Sequence, residues 1–145
     1  MNLETKDGVV RLYVVRRELD GILFPRFRQL AHSGVLLQTE GGDLYLLEYM
    51  ADAKAHLTPA NPQLLQDKGN HLVIQMSGKA ANGLKEFKWT RQKRGVELDG
   101  RFTPKNLLLK MQAQMNSGYS VLEKEQCHTA QERLRRALGV FSLKP

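Results

Sequence analysis

Gly34-Val35-Leu36-Leu37-Gln38-Thr39-Glu40-Gly41-Gly42-Asp43-Leu44-Tyr45-Leu46-Leu47-Glu48-Tyr49 is the stretch that decides the architecture. Two apolar runs flank Glu40-Gly41-Gly42-Asp43, whose paired glycines mark a tight reversal, so the stretch predicts a β-hairpin. Neither run alternates apolar with polar residues. Strands that are apolar on both faces are covered on both, which predicts a central place in a sheet under helices or a second sheet.

Upstream, Val9-Val10-Arg11-Leu12-Tyr13-Val14-Val15 is rich in β-branched residues and predicts a strand, ended by the charges and turn of Arg16 to Gly21. Residues 22–31 are ambiguous, and Pro25 argues against a central strand there. Downstream, residues 51–69 contain Pro59 and Pro62 and predict a loop with one helical turn at most. His71 to Met76 predicts a strand, Gly78 to Gly83 a loop, and Phe87 to Arg91 a strand that a turn at Gly95 could join to Val96-Glu97-Leu98. Thr103-Pro104 then opens a helix, because Thr is a good N-cap and Pro fits the first helical position. Leu107, Leu108, Met111 and Met115 follow at helical spacing, and Asn116-Ser117-Gly118 closes it. Tyr119 to Leu122 reads as a short strand. A second helix begins near Cys127, carries Ala130, Leu134, Ala137 and Leu138 on one face, and ends at Gly139.

The composition bounds the class. A chain of 145 residues with 41% apolar and 26% charged residues fits one domain over 1–145. At this length folding hides roughly 70% of the unfolded surface, so no disulfide or metal staple is needed. The single cysteine cannot form an internal disulfide. The polar start, Met1 to Asp7, has no apolar signal core, and no apolar run is long enough for a transmembrane helix. The expected location is the cytoplasm. Neither HExxH nor CxxC occurs, which argues against zinc, and no GxGxxG or P-loop pattern points to a nucleotide. GxSxG is absent as well. No cofactor is expected.

Cys127 carries the chemistry that is left. It lies in Glu125-Gln126-Cys127-His128-Thr129, at or just before the start of the last helix. Thr129 and Glu132 have capping-box spacing, so Thr129 is an alternative N-cap. Either way the sulfur is near a helix N-terminus, which favours a thiolate and hence a nucleophile. A buried structural thiol is the competing reading.

Three segments share an order. His32-Ser33-Gly34-Val35-Leu36-Leu37 resembles the motif His-x-Gly-Val/Ile followed by an apolar strand. Leu44-Tyr45-Leu46-Leu47-Glu48 resembles the next strand of that motif, ending in a polar residue, and Tyr119 to Cys127 resembles its late nucleophile segment. Together they resemble the circularly permuted NlpC-like papain-fold cysteine hydrolases, the superfamily that includes relatives of lecithin:retinol acyltransferase. The resemblance spans residues 32–138. It implies an α+β, papain-like permuted fold, with a mostly antiparallel sheet and the nucleophile-bearing helix packed against it. It implies Cys127 as nucleophile, His32 as general base and Glu48 as the residue that orients the imidazole. The chemistry it implies is hydrolysis or transfer of an acyl group from an amide, isopeptide, ester or thioester through a cysteinyl acyl-enzyme. The acyltransferase branch carries Asn-Cys-x-His-Phe where this chain has Gln126-Cys127-His128-Thr129-Ala130, and a second His where this chain has Glu48.

Hairpin geometry bears on that assignment. A two-residue loop pairs Glu40 with Asp43 and puts Glu48 on the face opposite His32, leaving Tyr45 or Tyr49 to orient it. A three-residue loop or a bulge puts Glu48 and His32 on one face. His56 and His71 are expected to have no role.

A net charge of +7 favours anionic partners. Lys85, Lys88, Arg91, Lys93 and Arg94 interleave with Phe87 and Trp89, a pattern able to hold nucleic acid or a lipid head group and more often that of a solvated strand face with core aromatics. Arg133, Arg135 and Arg136 are expected on the outer face of the last helix. The rival function is a non-enzymatic basic module that binds nucleic acid or an acidic protein, with Cys127 structural.

Overall fold

A computed structural model describes residues 3–18, 31–50, 52–60, 65–68, 71–80, 83–91, 95–116 and 126–139. They form an α+β arrangement of one eight-stranded sheet and two helices. The elements are β1 (Val9–Glu18), β2 (Ala31–Thr39), β3 (Leu44–Tyr49), β4 (Ala55–Ala60), β5 (Leu65–Lys68), β6 (His71–Ala80), β7 (Gly83–Arg91), β8 (Val96–Glu97), α1 (Pro104–Asn116) and α2 (Gln126–Ala137). The strand order is β4-β3-β2-β1-β7-β6-β5, with β8 also on β1. Every described pairing is antiparallel.

The hairpin forms as the sequence predicts. Thr39 pairs with Asp43 through its backbone N–H, 2.9 Å, and its hydroxyl accepts the Asp43 N–H at 3.2 Å. The loop is therefore the three residues Glu40, Gly41 and Gly42, and Gly42 takes φ +89°, a conformation open to glycine at little cost.

Both faces of this hairpin are buried, also as expected. On one face Leu12, Val14, Val35, Leu37, Tyr45, Leu47 and Tyr49 pack with Leu107 and Met111 of α1 and with Ala130 and Leu134 of α2. On the other, Val15, Leu36, Leu44, Leu46 and Ala60 form a second cluster with Tyr13. Each aliphatic side chain withdrawn from water in this way contributes on the order of 1.5–3 kcal/mol.

Several boundaries differ from expectation. β1 runs on through Arg16, Arg17 and Glu18, because Ser33, His32 and Ala31 of β2 supply their cross-strand partners. The expected loop at 51–69 contains β4 and β5. Pro59 is tolerated there because β4 is the edge strand, where a missing N–H breaks no ladder. Gly78 to Ala80 and Gly83 are strand residues, with Ala80 opposite Gly83. β8 does not fold back on β7. Both lie antiparallel to β1, Arg91 opposite Val15 and Glu97 opposite Arg11, so β8 continues the line of β7 beyond residues 92–94. Of the ambiguous stretch 22–31, Ala31 opens β2; its residues 22–30 and the short strand expected at 119–122 lie outside the described residues.

The helices obey their caps. The Thr103 hydroxyl accepts the Asn106 N–H at 3.1 Å, and Asn106 Oδ1 accepts the Thr103 N–H at 3.0 Å, a reciprocal cap. α2 begins at Gln126, so Thr129 lies within its first turn and is not the N-cap. Gly139, φ +75°, closes α2. Ala137, expected on the apolar face, is exposed, whereas Ala130 and Leu134 are buried.

Candidate functional site

α1 and α2 meet the sheet near the end of β3 and the start of β4. Gln112 makes that junction. Its Oε1 accepts the Ala55 N–H at 2.8 Å, and its Nε2 donates to Ala53 O at 3.3 Å. Ala53 takes φ +62°, a left-handed conformation that a side-chain-bearing residue adopts at some cost, so the clamp holds a strained turn. Arg133 of α2 donates to Gln114 O at 3.1 Å and ties the middle of α2 to the last turns of α1.

Cys127 is the second residue of α2 and is half-buried. It precedes the buried residues Ala130 and Leu134 by three and seven positions, which places it on the sheet-facing side of the helix. It is also about 9 Å along the axis from Arg133.

Glu48 stands opposite Gly34 in the β2–β3 register and opposite His56 in the β3–β4 register. Because the loop has three residues, the parity of Glu48 is that of Gly34, and His32 precedes Gly34 by two positions on β2. Val15, opposite Gly34, and Leu46, two positions before Glu48, belong to the cluster turned away from the helices. Tyr45, Leu47 and Tyr49 alternate onto the helix side. Thus Glu48 lies on the face away from α2, and Cys127 on the side covered by it. The side chain of His32 lies outside the described residues; its backbone pairs with Arg17. Burial pushes the Tyr45 phenol above its ordinary value, with Asp43 and Asp7 adding to the shift.

Two features were not expected from the sequence. Ser33, next to His32, is fully buried, its hydroxyl has no hydrogen-bond partner among the described residues, and its strand parity is that of Val35 and Leu37 on the helix side. A buried hydroxyl left so costs about 1–3 kcal/mol. Second, His56, at the start of β4, makes a side-chain contact with Asp52. Its Nε2 lies 2.9 and 3.0 Å from the two carboxylate oxygens of Asp52. Partial desolvation pushes the Asp52 carboxyl up, but the His56 hydrogen bond and charge, with Lys54, outweigh this and hold it below the ordinary carboxylate value. Asp52 and His56 are spaced i and i+4 across a turn and the start of a strand, and outside a helix that spacing gives no sequence signal of a pair.

Among the described residues no group of His, Cys, Asp and Glu could hold a metal ion, and no helix is long and apolar enough to cross a membrane. The side chains of Lys85, Lys88, Arg91, Lys93 and Arg94, and of His71, lie outside the described residues. The chain matches no protein-family model, no curated protein and no solved structure in the comparisons made.

Proposed function

We propose that this protein is a cysteine-dependent acyl hydrolase or transferase of the papain-like, permuted NlpC-like type. The observation that carries the reading is the position of Cys127. It lies in the first turn of a helix that is packed on an antiparallel sheet, on the side that faces that sheet. The N-terminus of a helix favours the thiolate over the thiol. In the proposed cycle His32 takes the thiol proton, and the Cys127 thiolate attacks the acyl carbonyl. The leaving group departs with the proton from His32, and water or an acceptor nucleophile then releases the acyl group. Glu48 orients the His32 imidazole and stabilises its cation.

The faces set a condition on this cycle. Glu48 and Cys127 are on opposite sides of the sheet, so the three groups can assemble only around the end of the β2–β3 pair, where His32 is the second residue of its strand. The three-residue loop gives Glu48 the strand parity of His32, so Glu48 rather than Tyr45 or Tyr49, which alternate onto the helix side, is the partner proposed for it.

The test uses an activated ester such as p-nitrophenyl acetate. Cys127→Ala abolishes turnover and the acyl mass adduct on the protein. His32→Ala comes close to doing so, Glu48→Gln costs less, and the double Cys127→Ala/His32→Ala variant is no worse than Cys127→Ala alone, because groups that act in one step are not additive. Full turnover by Cys127→Ala would overturn the reading.

A further inference from the structure

We propose that the β6–β7 hairpin is a projecting two-stranded arm that enters the major groove of double-stranded DNA. β1 meets β7 at Val15–Arg91 and Arg16–Thr90, and β1 ends at Glu18. On the other side, β5 reaches along β6 as far as Ile74, which stands opposite Leu65. β6 and β7 nevertheless stay paired out to Ala80 and Gly83. Among the described residues, 75–80 and 83–87 therefore have strand partners only in each other. At ~3.4 Å per residue the arm extends roughly 17–20 Å past its neighbours. A two-stranded ribbon open at both edges is marginal by itself in water, so a binding partner stabilises it.

Charge selects the partner. From residue 79 to residue 94 the chain has six cations, Lys79, Lys85, Lys88, Arg91, Lys93 and Arg94, against one carboxylate, Glu86. The register sets no lysine of the arm opposite a carboxylate: Lys79 stands opposite Leu84, Lys85 opposite Gly78 and Lys88 opposite Gln75. Glu86, opposite Ser77, shares a face with Lys79 and Lys88 and leaves that face net positive. Charge of one sign on an open ribbon repels a second copy of the same ribbon, whereas nucleic-acid phosphates attract it.

Strand alternation defines the docking face. Gln75, Ser77, Lys79, Glu86 and Lys88 share one face, and Met76 and Phe87 stand opposite each other on the other. The polar face thus combines residue types that hold phosphates with residue types that read base edges. The major groove of B-DNA, about 12 Å wide, admits a two-stranded ribbon, whereas that of duplex RNA is too deep and narrow to be read. Single strands are held largely by stacking on aromatics. Trp89 has the strand parity of Arg91, which stands opposite Val15 of the second apolar cluster, and so lies on the face opposite the polar one. The arm includes none of Cys127, His32 and Glu48, so this inference is independent of the acyl-transfer reading.

The experiment is fluorescence anisotropy of a short labelled DNA duplex titrated with the full chain at several salt concentrations. The matching single strand, the matching RNA duplex and phosphatidylserine vesicles serve as competitors. The DNA duplex is expected to bind most tightly. Lys79→Gln and Lys88→Gln each weaken binding roughly threefold to tenfold and lower the slope of log affinity against log salt by about one. Arg136→Gln, which removes the same charge from the exposed end of α2, leaves both unchanged. A shortened arm, in which Asn-Gly joins Ser77 to Glu86 as a two-residue turn, loses the binding and keeps the parent's Cys127 alkylation rate. The lysine variants leave the backbone pairing intact and carry the test if the shortened chain does not fold. Equal losses for Arg136→Gln and the two lysine variants would reduce the effect to adsorption by net charge and overturn the proposal. So would tighter binding of the single strand, the RNA duplex or the vesicles than of the DNA duplex, or a stable dimer that is lost with the arm.

Discussion

Glu48 stands directly across from Gly34, and the two strands are so close there that a methyl group on Gly34 would lie 3.1 Å from the Leu47 carbonyl oxygen and 3.5 Å from Glu48 Cγ. A side chain at this position, two residues after His32, would press on the Leu47 carbonyl oxygen of β3, whereas its approach to Glu48 Cγ would be ordinary contact. Gly34→Ala is expected to lower stability by about 1–3 kcal/mol, as small overpacking in a closed site does. Chemical denaturation checks this; unchanged stability would mean that β3 yields easily at this point.

The Gln112 clamp joins α1 to a turn that is otherwise strained at Ala53. Gln112→Ala removes the acceptor of the Ala55 N–H and one donor to Ala53 O. The expected loss is about 1–3 kcal/mol, and amide exchange at Ala55 should accelerate. Gln112→Glu restores only the acceptor and should recover part of the protection.

Acid should release the Asp52–His56 contact. Asp52 has a carboxyl held below its ordinary value in the folded chain. Its contribution to stability is therefore present above the unfolded carboxylate value, about 3.9, and is lost as pH falls through the lower folded value. Asp52→Asn removes this component. Melting temperatures measured from pH 5 downward should fall more steeply in the parent than in Asp52→Asn. Parallel curves would show that the pair is too solvated to matter.

The sequence was most readable where several local signals agreed. The Leu44–Tyr49 strand was apolar throughout and followed two glycines, and both of its faces are buried. Thr103-Pro104 and Gly139 marked real helix ends. β4 was hidden because Pro59 is a loop signal everywhere except on an edge strand, and the edge position depends on the whole sheet order. The start of α2 was ambiguous because Thr129 and Glu132 imitate a capping box inside the helix. The side of the sheet on which Glu48 lies could not be read from composition at all. It turns on whether the loop contains two residues or three, and Gly41-Gly42 permits both.

The most direct measurement of the central claim needs no substrate. It is the rate of Cys127 alkylation by iodoacetamide as a function of pH, in the parent and in His32→Ala. A Cys127–His32 ion pair gives the parent a reactive plateau well below pH 8, faster at neutral pH than a free cysteine with its pKa of about 8.5, and loss of His32 moves that plateau upward. Superimposable profiles for the two proteins would mean that His32 does not act on the thiol, and would contradict the assignment of Cys127 and His32 as nucleophile and base.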